Sequence, residues 1–444
     1  MKPTILQGHT RPIKSISFSS DSTRAFSASS DRTIISWDVE KKEKSKVYSH
    51  AAAINSFVLS SCNKYLVSGD NTGTVYIWDV VKGIINIQIE GDPSETVRSL
   101  TLSDDDKILL ITFSGRGKTA ISKLKCYSFE SLIKSDETET EIGENNNLNG
   151  NSNSNKNDGH KIPYNNESIY YNTNSIYSQN SNSNSNNNNS KKGNKNSIKD
   201  PVLETYFHVP KKLQIENIQP IKEIKARKSK YVKALFAFDK QLQIIAARED
   251  GVLELIDYSS GEVILEKEVH KETILDFDFC TKQKLIITSS TDGYAYVLTI
   301  DKLEVKFKFH PENPTRNLNT CKIMLIDNPF LQKKNVDLDM LFDNGIDSIE
   351  DKFINLRKAD KLPIAIFSGG QDSKLVTTTH KNEGGFEIVV HDLLFGAQLL
   401  YFESHFGPVN TLGCSSSKSL FASGSEDSSV RLYNIEEYLK SIDI

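Results

Sequence analysis

The chain has 444 residues, 37% of them hydrophobic, and a formal net charge of −4. This balance excludes a strongly basic nucleic-acid-binding protein, and no stretch reaches the roughly 18 apolar residues of a membrane span. The five cysteines are scattered without a Cys-x-x-Cys pair, and the N-terminus lacks the apolar run of a signal peptide. We therefore expect a cytoplasmic protein with free thiols and without a zinc site or disulfides.

The first part of the chain repeats one strand pattern. Each copy has three short segments in which apolar and polar residues alternate: IKSISFSS, RAFSASS and RTIISWDV, then INSFVLSS, KYLVSGD and GTVYIWDV. A weaker third copy follows, with VRSLTLS, KILLITFS and AISKLKCYSF. Alternation with period two between polar turns predicts half-buried β-strands.

An insertion follows the third copy, over residues 136–200. It is rich in Asn and Ser, as in NSNSNSNNNNS, and almost free of aliphatic runs. Such a segment buries too little apolar surface to offset the entropy of ordering it, so we predict a disordered loop. Neutral expansion and a regulatory or assembly segment are both open interpretations of this loop.

Four further copies complete the chain. Their segments are VKALFAF, LQIIAARED and GVLELIDY; ILDFDFC, KLIITSST and GYAYVLTI; CKIMLID, PIAIFSGG and GFEIVVHD; VNTLGCS, SLFASGS and SVRLYNI. An acidic insertion over residues 328–361 splits the sixth copy, and its apolar residues recur at loosely helical spacing. We predict an amphipathic helix there, which either packs on the domain or docks a partner.

A fixed interval between a histidine and an aspartate recurs in several copies of the strand pattern. A histidine is followed 22 residues later by an aspartate in three of them: His9 and Asp31, His270 and Asp292, His405 and Asp427. His50 is followed by Thr72 at the same interval, and the fourth copy carries Asp250 in the aspartate slot. A bulky residue comes six positions later, as in Trp37 and Trp78. Several copies are 41 or 42 residues apart, as in propeller blades. The pattern predicts an all-β, seven-bladed propeller over residues 1–444 with two inserted loops.

The recurring His and Asp residues invite interpretation as metal ligands or acid–base groups. A catalytic or metal set occurs once, however, whereas this set recurs in separate blades and cannot converge on one point. We interpret it as a structural network within each blade, in which the aspartate holds the imidazole, and the imidazole links to a hydroxyl and the Trp indole. We predict no catalytic residue, cofactor or metal.

Two further motifs resemble ligand sites. Residues 114–119 end in Gly-Lys-Thr, as a phosphate-binding loop does, but the first glycine of that motif is missing and the segment lies between two strands. We therefore predict a hairpin turn. A basic run from Lys222 to Lys233 has no interleaved aromatic residues, so solvated charge beside a strand is favoured over contact with RNA.

One position departs from its own repeat. Six residues after the histidine, three copies carry a hydroxyl, Ser15, Ser56 or Thr411, whereas the fifth copy carries Asp276. Positions that break a local rule are often functional. Either Asp276, together with Asp292 in the same blade, receives an Arg or Lys from a partner protein, or it makes a local contact within the blade.

Both ends of the chain carry more specific motifs. The opening MKPTILQGHTRPIKSISFS, the segments GGQDSKLVTTTH and GGFEIVVHD, and HFGPVNT near the C-terminus resemble the i subunits of eukaryotic translation initiation factor 3, a family of WD-repeat propellers. A generic WD repeat needs neither the Val-Thr-Thr-Thr segment nor Phe-Gly-Pro after the histidine. The two insertions depart from the family, and the third and fourth copies match it poorly.

The resemblance implies a non-enzymatic scaffold subunit. It would bind the C-terminal segment of the b subunit, together with the g subunit, and support recruitment of mRNA and initiator tRNA to the small ribosomal subunit. It also implies that Asp276 and Asp292 lie on the side that meets the b subunit. A WD-repeat adaptor in another assembly, in ribosome biogenesis or ubiquitin ligation, is the alternative. We expect no membrane contact and no direct contact with nucleic acid.

The chain ends also predict how the ring closes. Residues 1–7 are extended and apolar enough to form the outer strand of the blade built from residues 405–434. This pairing would remove an exposed strand edge.

Overall fold

The segments of alternating apolar and polar residues form β-strands. Within the described residues these strands are arranged in seven sheets. The computed structural model describes residues 2–117, 121–133, 211–214, 218–238, 242–310, 316–327, 360–371, 385–403 and 405–441, with the backbone alone at 211–214 and 238. The insertion predicted at 136–200 lies outside these residues, as does the insertion predicted at 328–361 except for its last two residues.

The first four sheets follow one another in chain order, and each becomes one blade. Blade 1 contains β2 (Ile13–Phe18), β3 (Arg24–Ser29), β4 (Thr33–Asp38) and β5 (Glu43–Ser49). Blade 2 contains β6 (Ile54–Leu59), β7 (Tyr65–Asp70), β8 (Val75–Asp79), β9 (Ile84–Glu90) and an added strand, β13 (Lys211–Gln214). Blade 3 contains β10 (Glu95–Leu102), β11 (Ile108–Gly115), β12 (Ser122–Ser128) and β14 (Lys222–Lys225). Blade 4 contains β15 (Tyr231–Phe238), β16 (Leu242–Arg248), β17 (Val252–Asp257) and β18 (Val263–Glu268).

The remaining three sheets complete the ring. Blade 5 contains β19 (Ile274–Cys280), β20 (Leu285–Ser290), β21 (Ala295–Thr299) and β22 (Val305–Phe309). Blade 6 contains β23 (Asn317–Asp327), β24 (Lys361–Gly370), β25 (Glu387–Asp392) and β26 (Gln398–Glu403). Blade 7 contains β27 (Val409–Cys414), β28 (Leu420–Ser425), β29 (Val430–Asn434) and β1 (Thr4–Leu6). The prediction of an all-β, seven-bladed propeller is confirmed.

The N-terminal strand closes the ring, which confirms the predicted pairing. β1 runs antiparallel to β29, with Thr4 opposite Leu432 and Leu6 opposite Val430. Leu6 is 2% exposed and packs among the apolar residues shared by blades 7 and 1. The two ends of the chain therefore belong to one sheet, and a contact between distant parts of the sequence completes the domain.

We expect deletion of residues 1–8 to lower the melting temperature by several degrees. The deletion removes the outer strand of blade 7 and exposes the apolar surface under Leu6, whose burial contributes about 2 kcal/mol. Leu6→Ala should reproduce much of the loss, whereas Ile5→Ala should have a small effect because Ile5 is 49% exposed. Thermal unfolding followed by circular dichroism measures all three variants. A deletion variant that melts like the full chain would contradict closure by β1.

The core lies between adjacent blades. In β4, Ile34 packs against residues of blade 2, whereas its neighbour Ile35 packs against residues of blade 7. Successive side chains of a strand point to opposite faces of its sheet, so strands covered on both faces need apolar residues on both. β7 is covered on both faces, and all six of its residues are buried. A short C-terminal helix, α1 (Ile435–Ser441), adds Tyr438 and Leu439 to the core of blades 6 and 7.

Candidate functional site

The predicted histidine network forms in blades 1, 5 and 7. In blade 1, His9 Nδ1 lies 2.8 Å from Asp31 Oδ2, and His9 Nε2 lies 2.8 Å from Ser27 Oγ. The Trp37 indole N–H donates to the same Ser27 oxygen at 2.8 Å. His9 and Trp37 are both buried. The chain of contacts joins the turn before β2 to the turn between β3 and β4, so it fixes the geometry of the blade.

The same contacts recur in the other two blades. His270 lies 2.9 Å from Asp292 and 2.8 Å from Thr288 Oγ1. His405 lies 3.0 Å from Asp427 and 2.6 Å from Ser423 Oγ. The hydroxyl residues were not singled out from the sequence, although a signal exists, since each lies 18 residues after its histidine.

Electrostatics favours ionised aspartates in these turns. Burial is the largest single influence on Asp31, Asp292 and Asp427, and it opposes their ionisation. The hydrogen bonds and charge of the paired histidines, taken together with the other donors to each carboxylate, outweigh burial and hold the pKa of each carboxyl below its usual range. Backbone amides add to the effect, because Asp31 also accepts from the N–H groups of Thr10 and Thr33. The negative charge of each aspartate and its hydrogen bonds are therefore directed to donors within the same blade.

In the second blade, where Thr72 occupies the aspartate slot, the carboxylate that faces the histidine is that of Asp70. Asp70 Oδ2 lies 3.9 Å from His50 Nδ1, and both side chains are fully buried. Thr72 donates its N–H and hydroxyl to the other oxygen of Asp70. His50 Nε2 still lies 2.7 Å from Ser68 Oγ, which also accepts from Trp78. A carboxylate two residues earlier in the turn therefore faces the histidine without a hydrogen bond between them, because His50 Nδ1 and Asp70 Oδ2 are both buried without a hydrogen-bond partner among the described residues.

We expect these buried histidines to make stability depend on pH below about 6.5. Burial lowers the pKa of His50 and His405, so the unfolded chain binds protons more readily than the folded one. Their contribution is complete above the unfolded pKa of about 6.5 and is lost as the pH falls toward the folded pKa, with a limiting slope of about 1.4 kcal/mol per pH unit for each histidine. The depressed aspartate pKa values add a second loss below about pH 4.

Urea denaturation at a series of pH values measures this dependence. A chain in which His50 and His405 are replaced by Asn should lose the upper of the two pH-dependent ranges and keep the lower one. An unchanged dependence between pH 6.5 and 5 in that variant would contradict the assignment to these histidines.

In the fourth blade, the aspartate that the sequence assigns to the structural network pairs with an arginine. Asp250 sits in the predicted turn, but its partner is the Arg248 guanidinium. Arg248 also lies 2.6 Å from Glu254 Oε1, and the side chains of both are 1% exposed. The Tyr231 hydroxyl donates to the second Glu254 oxygen at 2.8 Å. The hydroxyl network cannot form because Ala246 occupies the position that Ser27 has in blade 1.

A second position links neighbouring blades. In each of the seven described sheets a β-bulge falls on the first strand. In the four blades that carry the histidine, the residue after the bulge is the one that lies six positions after it. In blade 2 this residue, Ser56, accepts a hydrogen bond from the Leu100 N–H of blade 3 at 3.2 Å. Ser99 accepts from Ala234 in the same way, and Thr320 accepts from Leu412. In blades 2, 3 and 6 the position is therefore an acceptor for the next blade.

Asp276 departs from the repeat because the preceding blade departs from it as well. Blade 4 has Lys233 at the acceptor position, and an ammonium cannot accept the Phe277 N–H of blade 5. Asp276 Oδ1 accepts that N–H at 2.9 Å and the Lys233 Nζ at 2.7 Å. Its other oxygen accepts from the Thr320 hydroxyl and the Cys321 N–H of blade 6. One carboxylate thus serves the acceptor positions of two blades.

The two aspartates predicted to meet a partner therefore have donors within the chain. Asp276, with a side chain 16% exposed, accepts from Lys233, while Asp292 is held by His270. The structure places them in separate networks. Their predicted contact with a partner protein stays a prediction, and any test of it must keep these internal contacts.

Along the chain, the Gly-Lys-Thr segment and the basic run both lie beside strands of the propeller. β11 and β12 pair as a hairpin up to Ser114 opposite Ser122, and Lys118 and Thr119 of the predicted turn lie outside the described residues. In the basic run, Arg227 lies 3.0 Å from Glu262, Lys228 lies 3.2 Å from Glu266, and Lys233 pairs with Asp276. The run is balanced by acidic residues of blades 4 and 5.

A polar cavity of about 690 Å³ lies on the axis, lined by the first strands of the blades. Its charges are paired across blades, as in Lys14 with Glu426 at 3.1 Å and Arg98 with Glu249 at 3.4 Å. Within the described ranges, no group of three His, Cys, Asp or Glu side chains could hold a metal ion. Burial raises the pKa of the Cys126 and Cys414 thiols to about 12, which disfavours reactive thiolates. None of the described helices is long and apolar enough to span a membrane.

Comparison with known proteins identifies the repeat and full-length relatives. The family described as WD domain, G-beta repeat matches residues 2–38, 41–79 and 396–434. The chain is 24% identical to eukaryotic translation initiation factor 3 subunit I of Kluyveromyces lactis over 98% of this chain and 93% of the relative. It is 23% identical to the protein of the same name from Schizosaccharomyces pombe over 98% and 96%. The Saccharomyces cerevisiae protein of that name is 29% identical over 44% of this chain and 45% of its own length.

Proposed function

We propose that this chain, a seven-bladed WD-repeat propeller that resembles subunit I of eukaryotic translation initiation factor 3, is a non-catalytic scaffold subunit of that factor. The observation that carries the proposal is the similarity along 98% of the chain to relatives with this name. The similarity spans the whole ring, so it concerns more than the repeats that any WD-repeat protein shares.

The chemistry of the ring supports a scaffold role. Its recurring titratable groups are used in contacts within blades, such as His9 with Asp31, or between blades, such as Lys233 with Asp276. These contacts stabilise a ring with a fixed arrangement of surface loops, and such a fold generally serves as a binding platform. The proposed role therefore needs surfaces and rigidity, and no reacting group.

The proposed partners are the b and g subunits of the factor. Through them the chain would support recruitment of mRNA and initiator tRNA to the small ribosomal subunit in the cytoplasm. Within this proposal, Asp276 and Asp292 of blade 5 lie on the side that faces the C-terminal segment of the b subunit. A basic side chain of that segment would share their carboxylates with the internal donors.

A binding assay with purified proteins tests the proposed partners. The chain is titrated against the C-terminal segment of the b subunit, with and without the g subunit, and the dissociation constant is measured. We expect saturable binding that weakens at high salt, because exposed ionic contacts are screened. Absence of binding to the b segment both with and without the g subunit would contradict the proposal.

The role of Asp276 requires a variant that keeps the ring intact. Asp276→Ala removes the acceptor for two blades, so weaker binding by this variant alone would not separate a partner contact from a damaged ring. Lys233→Ser combined with Asp276→Ser gives both positions the hydroxyl that Ser56 and Ser99 provide elsewhere. If Asp276 binds the partner, we expect this double variant to fold normally and bind at least tenfold more weakly. Unchanged affinity would contradict the partner role of Asp276.

A further inference from the structure

The outer edge of blade 2 carries a strand that comes from a distant part of the chain. β13 runs parallel to β9, with Lys211 opposite Ile87 and Gln214 opposite Glu90. β13 precedes β14, the outer strand of blade 3, so a segment on the way to blade 3 first pairs with blade 2. Among the described residues, the other six sheets have four strands each.

The composition of β9 explains why this edge accepts a strand. Open strand edges are commonly protected from pairing by charged side chains or by short length. The outer strands of blades 1, 3, 4 and 5 each carry at least two charged residues, and the outer strand of blade 7 has only three residues. β9, with the sequence IINIQIE, has seven residues and a single charge, at its last position. Its backbone is thus open to a further strand.

The chain supplies that strand at high local concentration. Residues 215–221 connect β13 to β14, and seven residues reach at most about 25 Å, which holds β13 near blades 2 and 3. β26 in blade 6 also has a single charge, at its last residue, and has no fifth strand among the described residues. Low charge therefore permits an added strand, and the tether supplies it.

We propose that the outer edge of β9 is a strand-docking site and that β13 is its resident ligand. The site recognises an extended, parallel segment through backbone hydrogen bonds along residues 87–90. A strand supplied in trans with the sequence of β13 binds the same edge when β13 itself cannot pair. The docking site does not depend on the proposed role in translation.

Hydrogen exchange of the full-length chain tests this proposal. The test variant carries Lys212→Pro and Leu213→Pro, which remove two backbone donors and restrict the strand conformation. The matched control carries Lys212→Ala and Leu213→Ala, which keep the backbone amides. We expect the β9 amides that face away from β8 to exchange slowly in the native chain and in the control, and at least tenfold faster in the proline variant. An added peptide with the sequence of β13 and two flanking residues on each side should restore slow exchange.

Two results would overturn the proposal. The first is equal exchange of the β9 amides in the proline and alanine variants. The second is a failure of the peptide to slow exchange in the proline variant at a concentration well above that of the protein. Should the proline variant not fold, the native chain still decides the question, because the outward-facing amides of β9 must exchange at least tenfold more slowly than those of β26, which has no fifth strand in the described part of blade 6.

Discussion

Replacing Arg248 with methionine should lower the free energy of unfolding by about 3–5 kcal/mol, which is among the largest effects expected of a single substitution here. Arg248 and Glu254 form an ion pair with 1% exposure on both sides, and Glu254 also accepts from Tyr231. Without the guanidinium, a buried carboxylate would keep only a neutral donor. The cost of an unpaired buried charge exceeds the loss of packing, because methionine retains much of the volume.

The matched control removes both charges. Arg248→Met combined with Glu254→Leu should recover most of the lost stability, since the desolvation cost of the pair disappears with the pair. Asp250→Ala should have a much smaller effect, because the Asp250 side chain is 38% exposed. Urea denaturation of the four proteins gives the comparison. A double variant as unstable as Arg248→Met would contradict the assignment of the loss to an unpaired charge.

Asp276→Ala should lower the free energy of unfolding by about 2–4 kcal/mol. The substitution removes the acceptor of the Lys233 ammonium, of the Phe277 and Cys321 amides and of the Thr320 hydroxyl. These donors belong to three adjacent blades, so the loss weakens two interfaces between blades. Lys233→Ser alone should cost less, because Asp276 keeps the Phe277 and Cys321 amides and the Thr320 hydroxyl as donors.

The two positions are expected to be coupled. With Lys233→Ser and Asp276→Ser together, each position has the hydroxyl that accepts the amide of the next blade elsewhere in the ring. The double variant should therefore be more stable than Asp276→Ala by at least about 1 kcal/mol. The native chain, Lys233→Ser alone, Asp276→Ser alone and the double variant together give the coupling energy. Purely additive effects in urea denaturation would contradict the shared role of Lys233 and Asp276.

The blades and their order could be predicted from the sequence because the period-two alternation and the 22-residue interval report on local structure. The 22-residue interval predicted the contact between His9 and Asp31, and the apolar N-terminus predicted closure of the ring by β1. These inferences need only the pattern of one repeat. The structure shows a second recurring feature, a bulge on each first strand, and in blades 2, 3 and 6 the Ser or Thr after the bulge accepts an amide of the next blade.

Substitutions that compensate for one another across the chain could not be predicted in this way. Arg248 and Glu254 form a buried ion pair in a blade without the histidine network, and the repeat pattern gives no sign of this contact. Asp70 faces His50 at 3.9 Å from a position two residues before the aspartate slot. Asp276 looked like a site for a partner because its relation to Lys233 requires knowing which blades touch. The pairing of β13 with β9 could not be predicted either, since the four residues of β13 follow a long insertion and carry no sequence pattern that indicates this partner.

The central claim, membership of translation initiation factor 3, is tested most directly by purifying the tagged full-length chain from cells that make it and identifying the bound proteins. A matched purification of a tagged WD-repeat propeller of another assembly controls for nonspecific capture. The proposed function predicts that the b and g subunits co-purify in comparable amounts, and that the small ribosomal subunit follows at low salt. Recovery of a ribosome-biogenesis or ubiquitin-ligase assembly without these subunits would contradict it.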